Sequence, residues 1–203
     1  MVAAIAVPDI DGVEFDVRFS ADGEPILLHD ETLERVQGVA GAAASLSAAE
    51  LARYGVPSLA DVLSVMPADA FLDIELKEAP NERFASVLRA GRGGRPDRAV
   101  VSSFEVDALT ATRALLPGWP RWLNAIRLDR ETLDAGARLD CGGVAIEHRI
   151  LGAAGIARAR AVGLEVAAWT LTSGADERRV AELGVDVAIV EGEAIGREGR
   201  RAG

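Results

Sequence analysis

The run Phe71-Leu72-Asp73-Ile74-Glu75-Leu76 opens a pattern that repeats to the end of the chain. Five further β-rich runs follow it: Ala99-Val100-Val101-Ser102-Ser103-Phe104, Arg121-Trp122-Leu123-Asn124, Gly143-Val144-Ala145-Ile146, Glu165-Val166-Ala167-Ala168-Trp169-Thr170 and Asp186-Val187-Ala188-Ile189-Val190. Their starts lie roughly 22 to 28 residues apart, the length of one strand, one helix and two short loops. Several runs are apolar at consecutive positions, as strands covered on both faces must be. Strands alternating with helices imply a parallel sheet.

The gaps carry helical patterns. Leu59, Val62, Leu63 and Met66 recur at helical spacing, as do Phe84, Val87 and Leu88. Leu109, Leu115 and Leu116 follow it less regularly. Ser47, Ser58 and Ser173 each precede an acidic residue by three positions, the spacing of a capping box. Gly163 and Gly184 suit helix C-termini that lead into strands.

Before residue 71 the chain offers one more strand, Gly12-Val13-Glu14-Phe15-Asp16-Val17. The turn Ser20-Ala21-Asp22-Gly23 and the run Pro25-Ile26-Leu27-Leu28 follow it. That turn is too short for a parallel crossover, so Pro25–Leu28 should be an antiparallel flap. The Ala/Gly-rich stretch Gly38–Ser47 reads as a loose loop. The total is seven barrel strands, where a TIM-type (β/α) barrel needs eight. Ala3–Val7 lies too close to the Glu14 strand to supply the eighth, and Ala3–Ala6 reads as the end of a helix. The expected fold is a TIM-type (β/α)8 barrel whose first βα unit is largely missing, in one domain over residues 1–203.

The chain has 203 residues, 49% of them hydrophobic, enough for one full core. No apolar run approaches the roughly 20 residues of a membrane span. With no evident signal peptide and a single cysteine, Cys141, the chain reads as cytoplasmic. The net charge of −10 argues against nonspecific binding to nucleic acid or an anionic membrane surface. An anionic substrate then needs a local cation. Lys77 is the one lysine beside 21 arginines. It stands two residues after Glu75 at a strand end, where a compact ammonium is not equivalent to a guanidinium fork.

In a (β/α) barrel, function gathers at the C-terminal ends of the strands. Glu14 and Asp16, two apart, share one face of their strand, and Glu75 and Lys77 share one face of the next. Ionised carboxylates gathered there need a partner. A hard divalent cation would satisfy them, and so would arginines at a solvated rim; spacing alone leaves both open. No Cys or His cluster points to structural zinc. His29, followed by Asp30, suits a general acid or base as well as an ordinary turn residue. His148 is either a second titrating group or a loop histidine. Trp169 either packs against an apolar part of a ligand or caps the core.

These pieces together resemble the glycerophosphodiester phosphodiesterase family. The resemblance runs through Gly12–Val17, Asp22-Gly23, His29-Asp30, Pro57-Ser58-Leu59-Ala60-Asp61-Val62-Leu63, Ile74-Glu75-Leu76-Lys77, Ser102-Ser103-Phe104, Trp169-Thr170-Leu171-Thr172 and Leu183-Gly184-Val185-Asp186. It implies a TIM-type barrel that hydrolyses glycerophosphodiesters to glycerol 3-phosphate and an alcohol. It implies Glu14, Asp16 and Glu75 as ligands of Mg²⁺ or Ca²⁺, His29 as one of two catalytic histidines, and Lys77 beside the phosphate. It leaves His148 and Trp169 as candidate substrate contacts. The chain departs from the family in two respects. Thr172 stands where the tryptophan motif commonly ends in Asn, and the His-Arg-Gly strand with its Glu-Asn-Thr partner does not occur. The expected activity is therefore impaired. The rivals are a degenerate relative that binds metal and phosphodiester without turnover, and a phospholipase that cleaves by internal cyclisation. A second copy of the chain, or an irregular N-terminal segment, is the expected cover for the open barrel seam.

Overall fold

The computed structural model describes residues 7, 10–94, 96–192 and 195. The helix end expected at Ala3–Ala6 lies outside the described residues. Two compact units divide the chain: an N-terminal unit, Gly12–Pro120, and a C-terminal unit from Arg121 onward.

The N-terminal unit is built on β1 (Gly12–Phe19), β2 (Pro25–Leu27), β3 (Phe71–Leu76) and β4 (Ala99–Ser103). β1 and β3 run parallel, with Asp16 opposite Glu75. β3 and β4 run parallel, with Glu75 opposite Ser102. A Cβ on Gly12 would stand 2.0 Å from the Phe71 carbonyl oxygen, so only glycine lets the two backbones pair this closely. β2 folds back antiparallel on β1, as the short turn at Ser20–Gly23 demands.

Five helices belong to this unit: α1 (Glu34–Gln37), α2 (Ala48–Arg53), α3 (Leu59–Val65), α4 (Glu82–Arg92) and α5 (Val106–Leu115). Ser47 and Ser58 close reciprocal capping boxes with Glu50 and Asp61 at the starts of α2 and α3. Each box satisfies two backbone N–H groups that the first helical turn leaves open. Phe84, Val87 and Leu88 are buried on α4, and Leu59, Val62, Leu63 and Met66 on and just after α3, as their spacing requires.

The segment read as a loose loop is ordered. Ala43–Ser45 forms a 3-10 turn and Thr32 bridges Ala42. Ala43 packs with Ile26, Leu28, Leu33, Leu51 and Val56 in a small core beneath the flap, with Leu46 at its margin. Small side chains carry no periodic signal in a sequence; here a methyl group is what fits.

The C-terminal unit holds β5 (Arg121–Ala125), β6 (Gly143–Glu147), β7 (Glu165–Leu171) and β8 (Val187–Val190), paired in parallel in that order. α6 (Arg130–Arg138), α7 (Ala153–Ala161) and α8 (Gly174–Leu183) connect them. Ser173 accepts from the Asp176 backbone N–H at the start of α8, and Gly184 ends that helix with φ 72°. The side chain that Gly136 of α6 lacks would meet Leu164 and Val144, so Val144 faces the helices. Gly143, Ala145 and Glu147 therefore face away from them. Trp122 lies over Gly143, whose missing Cβ would sit 2.7 Å from the indole nitrogen.

The described strands thus number seven parallel and one antiparallel, the inventory read from the sequence. No helix among the described residues is long and apolar enough to cross a membrane.

Candidate active site

β1 and β3 bring four charged side chains together because their residues are in register and share one face. Glu14, Asp16 and Glu75 each offer a carboxylate oxygen within 4.8 Å of the others. Lys77, immediately after β3, reaches into the same group. Its Nζ donates to Asp16 Oδ1 at 2.7 Å and also to Glu75 Oε1.

The electrostatics of the group are uneven. Burial, then the charges of Asp16, Asp73 and Glu75, push Glu14 up to about 8, against the opposing pull of Lys77. Burial raises Glu75 too, although its contact with Lys77 works the other way. Burial alone would lower the Lys77 ammonium, but its bonds to Asp16 and Glu75 outweigh that and hold it charged. One lysine therefore neutralises part of the cluster, and burial together with the neighbouring carboxylates keeps a proton on Glu14 near neutral pH. Three oxygen ligands, one of them short of positive charge, fit a hard divalent ion.

A fourth carboxylate lies below them. Asp73 is two residues before Glu75, on the same face, and is in register with Glu14. It is fully buried and accepts a 2.6 Å hydrogen bond from Ser102 Oγ. Burial raises it to about 7, and the Ser102 bond holds it down. Sequence reasoning passed over Asp73, although its spacing from Glu75 was the available signal.

His29 follows the flap. Its Nδ1 lies 2.7 Å from Asp30 Oδ1. Arg35 on α1 donates from Nε (2.5 Å) and Nη2 (2.9 Å) to the same carboxylate. The Arg35 bonds, then His29, hold Asp30 well below the usual carboxylate range. An ionised Asp30 keeps the proton of His29 on Nδ1 and leaves Nε2 as the basic nitrogen.

His148 and Trp169 belong to the C-terminal unit. His148 opens a 3-10 turn after β6 and is buried. Its Nδ1 stands 3.1 Å from Arg179 Nη2 and 3.6 Å from Asp176 Oδ1. Arg179 also donates to the carbonyls of His148 and Leu151. This Arg179 clamp, spaced 31 residues from His148, leaves no local trace in the sequence. Trp169 is half-buried near the end of β7, in register with Glu147 of β6. Burial pushes the Cys141 thiol up to about 11, which removes it as a thiolate nucleophile.

A family model described as "Glycerophosphoryl diester phosphodiesterase family" matches residues 3–191. The chain is 31% identical over 127 residues to the protein YqiK of Bacillus subtilis (strain 168). That match spans 53% of this chain and 51%, about half, of the curated relative. Among solved structures, a phosphodiesterase of Oleispira antarctica, in complex with its product sn-glycerol 3-phosphate, is 25% identical with a TM-score of 0.79. The likeness covers 90% of this chain and 81% of that one. A glycerophosphodiester phosphodiesterase of Agrobacterium tumefaciens is 26% identical, with a TM-score of 0.75 over 89% of this chain and 83% of that one. One from Thermotoga maritima is 22% identical, with a TM-score of 0.74 over 93% and 83%. The fold is the TIM-type (β/α) barrel expected from the strand spacing.

Proposed function

The chain belongs to the glycerophosphoryl diester phosphodiesterase family, and from that premise we propose that it hydrolyses glycerophosphodiesters to glycerol 3-phosphate and an alcohol. The observation that carries the reading is the convergence of Glu14, Asp16 and Glu75 within 4.8 Å, with the ammonium of Lys77 among them. The solved relative holding sn-glycerol 3-phosphate supports the identity of the product.

Glu14, Asp16 and Glu75 would hold the divalent cation, Mg²⁺ or Ca²⁺, which when bound supplies Lewis-acid stabilisation to the phosphate oxygens. Lys77 places a fixed positive charge beside the phosphate, where negative charge grows in the transition state. His29, turned by Asp30 so that Nε2 is basic, moves a proton between the attacking and leaving oxygens. The bond from phosphorus to the alcohol oxygen breaks, water supplies the new oxygen on phosphorus, and the alcohol leaves with a proton. General acid–base groups typically contribute about 10²–10⁴-fold. Replacing His29 should therefore slow turnover by about that factor.

The test is release of glycerol 3-phosphate from glycerophosphocholine and glycerophosphoethanolamine, with and without chelator. Release that stops with chelator and returns with Mg²⁺ or Ca²⁺ is the expected result. A cyclic phosphate product would replace hydrolysis by internal cyclisation. No product from either diester under any ion would remove the enzyme reading.

A further inference from the structure

The strand face turned away from the helices in the C-terminal unit holds a polar atom that the fold leaves unanswered. Asn124 of β5 is 6% exposed, and its Oδ1 is buried without a hydrogen-bond partner. A buried amide oxygen with no donor is left undersolvated, so such an atom asks for a ligand or a water.

Its surroundings narrow the choice. Asn124 is in register with Ala145 of β6, and Ala145 with Ala167 of β7. Both alanines are buried, so two methyl groups form the floor beside the amide. One step further along the strands, on the same face, Glu147 is in register with Trp169. Glu147 is half-buried, and its Oε1 lies 3.0 Å from Nε of the exposed Arg149. That surface pair contributes little and does not cancel the carboxylate. Trp169 stands two strand spacings across from Asn124 and two residues further along, roughly 12 Å between Cα atoms, a span that an Asn and a Trp side chain turned toward each other would reduce to the size of one small group. An amide oxygen, a carboxylate and an indole face all attract positive charge. An ammonium bearing hydrogens uses all three, since it donates to both oxygens and lies against the ring. A quaternary ammonium has no hydrogen for Asn124, and a neutral hydroxyl gains nothing from the indole.

We propose that Asn124, Glu147 and Trp169, all of the C-terminal unit, form a subsite for a primary ammonium group such as that of ethanolamine. The use of the subsite in diester turnover rests on the phosphodiesterase reading; the subsite itself rests on the orphaned Asn124 oxygen.

The experiment compares the wild-type chain with Asn124→Leu and Asn124→Asp. The first quantity is the ratio of kcat/KM for glycerophosphoethanolamine to that for glycerophosphoglycerol. The second is binding of free ethanolamine by calorimetry. Asn124→Leu should lower the ratio about tenfold, the loss of one hydrogen bond to a charged group, and should weaken ethanolamine to match. Asn124→Asp, which keeps an acceptor and adds charge, should hold or raise both. A ratio unmoved in a folded Asn124→Leu chain overturns the subsite. If that variant does not fold, Asn124→Asp decides: a lowered ratio overturns it, and a held or raised ratio supports it. Turnover favouring glycerophosphoglycerol in the wild type would mean a polyol subsite and would overturn the ammonium assignment. If the wild type cleaves no diester at all, the phosphodiesterase reading fails separately. Ethanolamine binding that weakens in Asn124→Leu then still supports the subsite, and absence of wild-type binding overturns it.

Discussion

The two units build the same scaffold and line it in opposite ways. In the N-terminal unit, the charged face of β1 and β3 carries Glu14, Asp16, Asp73 and Glu75, with Lys77 following. In the C-terminal unit, the corresponding face of β5, β6 and β7 carries Trp122, Asn124, Ala145, Glu147, Ala167 and Trp169. Parallel pairing, buried aliphatic strands and serine-capped helices are common to both. The scaffold therefore does not choose the chemistry. A few residues on one strand face do, by concentrating charge in one unit and apolar surface in the other.

Several substitutions bear on this contrast, and the largest effect belongs to the charged face. Glu75→Ala should weaken Mg²⁺ or Ca²⁺ binding at least 100-fold and lower kcat by about 10³ or more. It removes one ligand and frees Lys77 to pair with Asp16 alone. Calorimetry and steady-state kinetics read both numbers. Next, Lys77→Met should lower kcat about 10²–10³-fold, and Lys77→Arg should restore little of it. A planar fork does not replace a compact ammonium seated between two carboxylates.

The pH responses of the two faces should differ as well. Glu14, raised to about 8, must lose its proton to bind an ion. Ion affinity should therefore climb as pH rises toward 8, by close to tenfold per unit, and level off above. Calorimetry at several pH values checks the slope.

Asp73 gives a second pH signature. Its folded value near 7 exceeds the ordinary 3.8, so between about pH 4 and 7 the folded chain binds more protons than the unfolded one. The associated stability is full below pH 4 and is lost as pH rises through 7, by an amount on the order of 4 kcal/mol. Asp73→Asn should flatten that part of the denaturation profile, since an amide has no proton to lose. The face of β5 to β7 described above carries no comparable buried carboxyl, so substitutions there should leave the profile unchanged.

The smallest effect should be the same in both units. Ser58→Ala and Ser173→Ala each remove a helix cap and should each cost about 1 kcal/mol in thermal or chemical denaturation. Unequal losses would show that the scaffolds are less alike than their caps suggest.

Much of this was legible in the sequence, because it depends on local spacing. The strand repeat from Phe71 onward follows from alternating strands and helices of fixed length, and the caps at Ser47, Ser58 and Ser173 from three-residue offsets. The pairs Glu14/Asp16 and Glu75/Lys77 were visible because strands alternate their side chains every two residues. What spacing could not supply was the third dimension. The Ala/Gly-rich stretch at Gly38–Ser47 gave no periodicity, yet Ala43 is buried where a methyl suffices. The burial of Asp73 depends on Ser102, 29 residues away, and the clamp on His148 depends on Arg179, 31 residues away. The orphaned oxygen of Asn124 is defined by the lack of a nearby donor, which no linear pattern records.

The most direct measurement is titration of Mg²⁺ and Ca²⁺ into the chelator-treated chain, followed by calorimetry with proton release recorded. One ion per chain, displacing close to one proton near pH 7 and lost in the Glu14→Ala, Asp16→Ala and Glu75→Ala variants, is what the carboxylate cluster requires. Ion binding with the same affinity in all four chains, or none in the wild type, would contradict it.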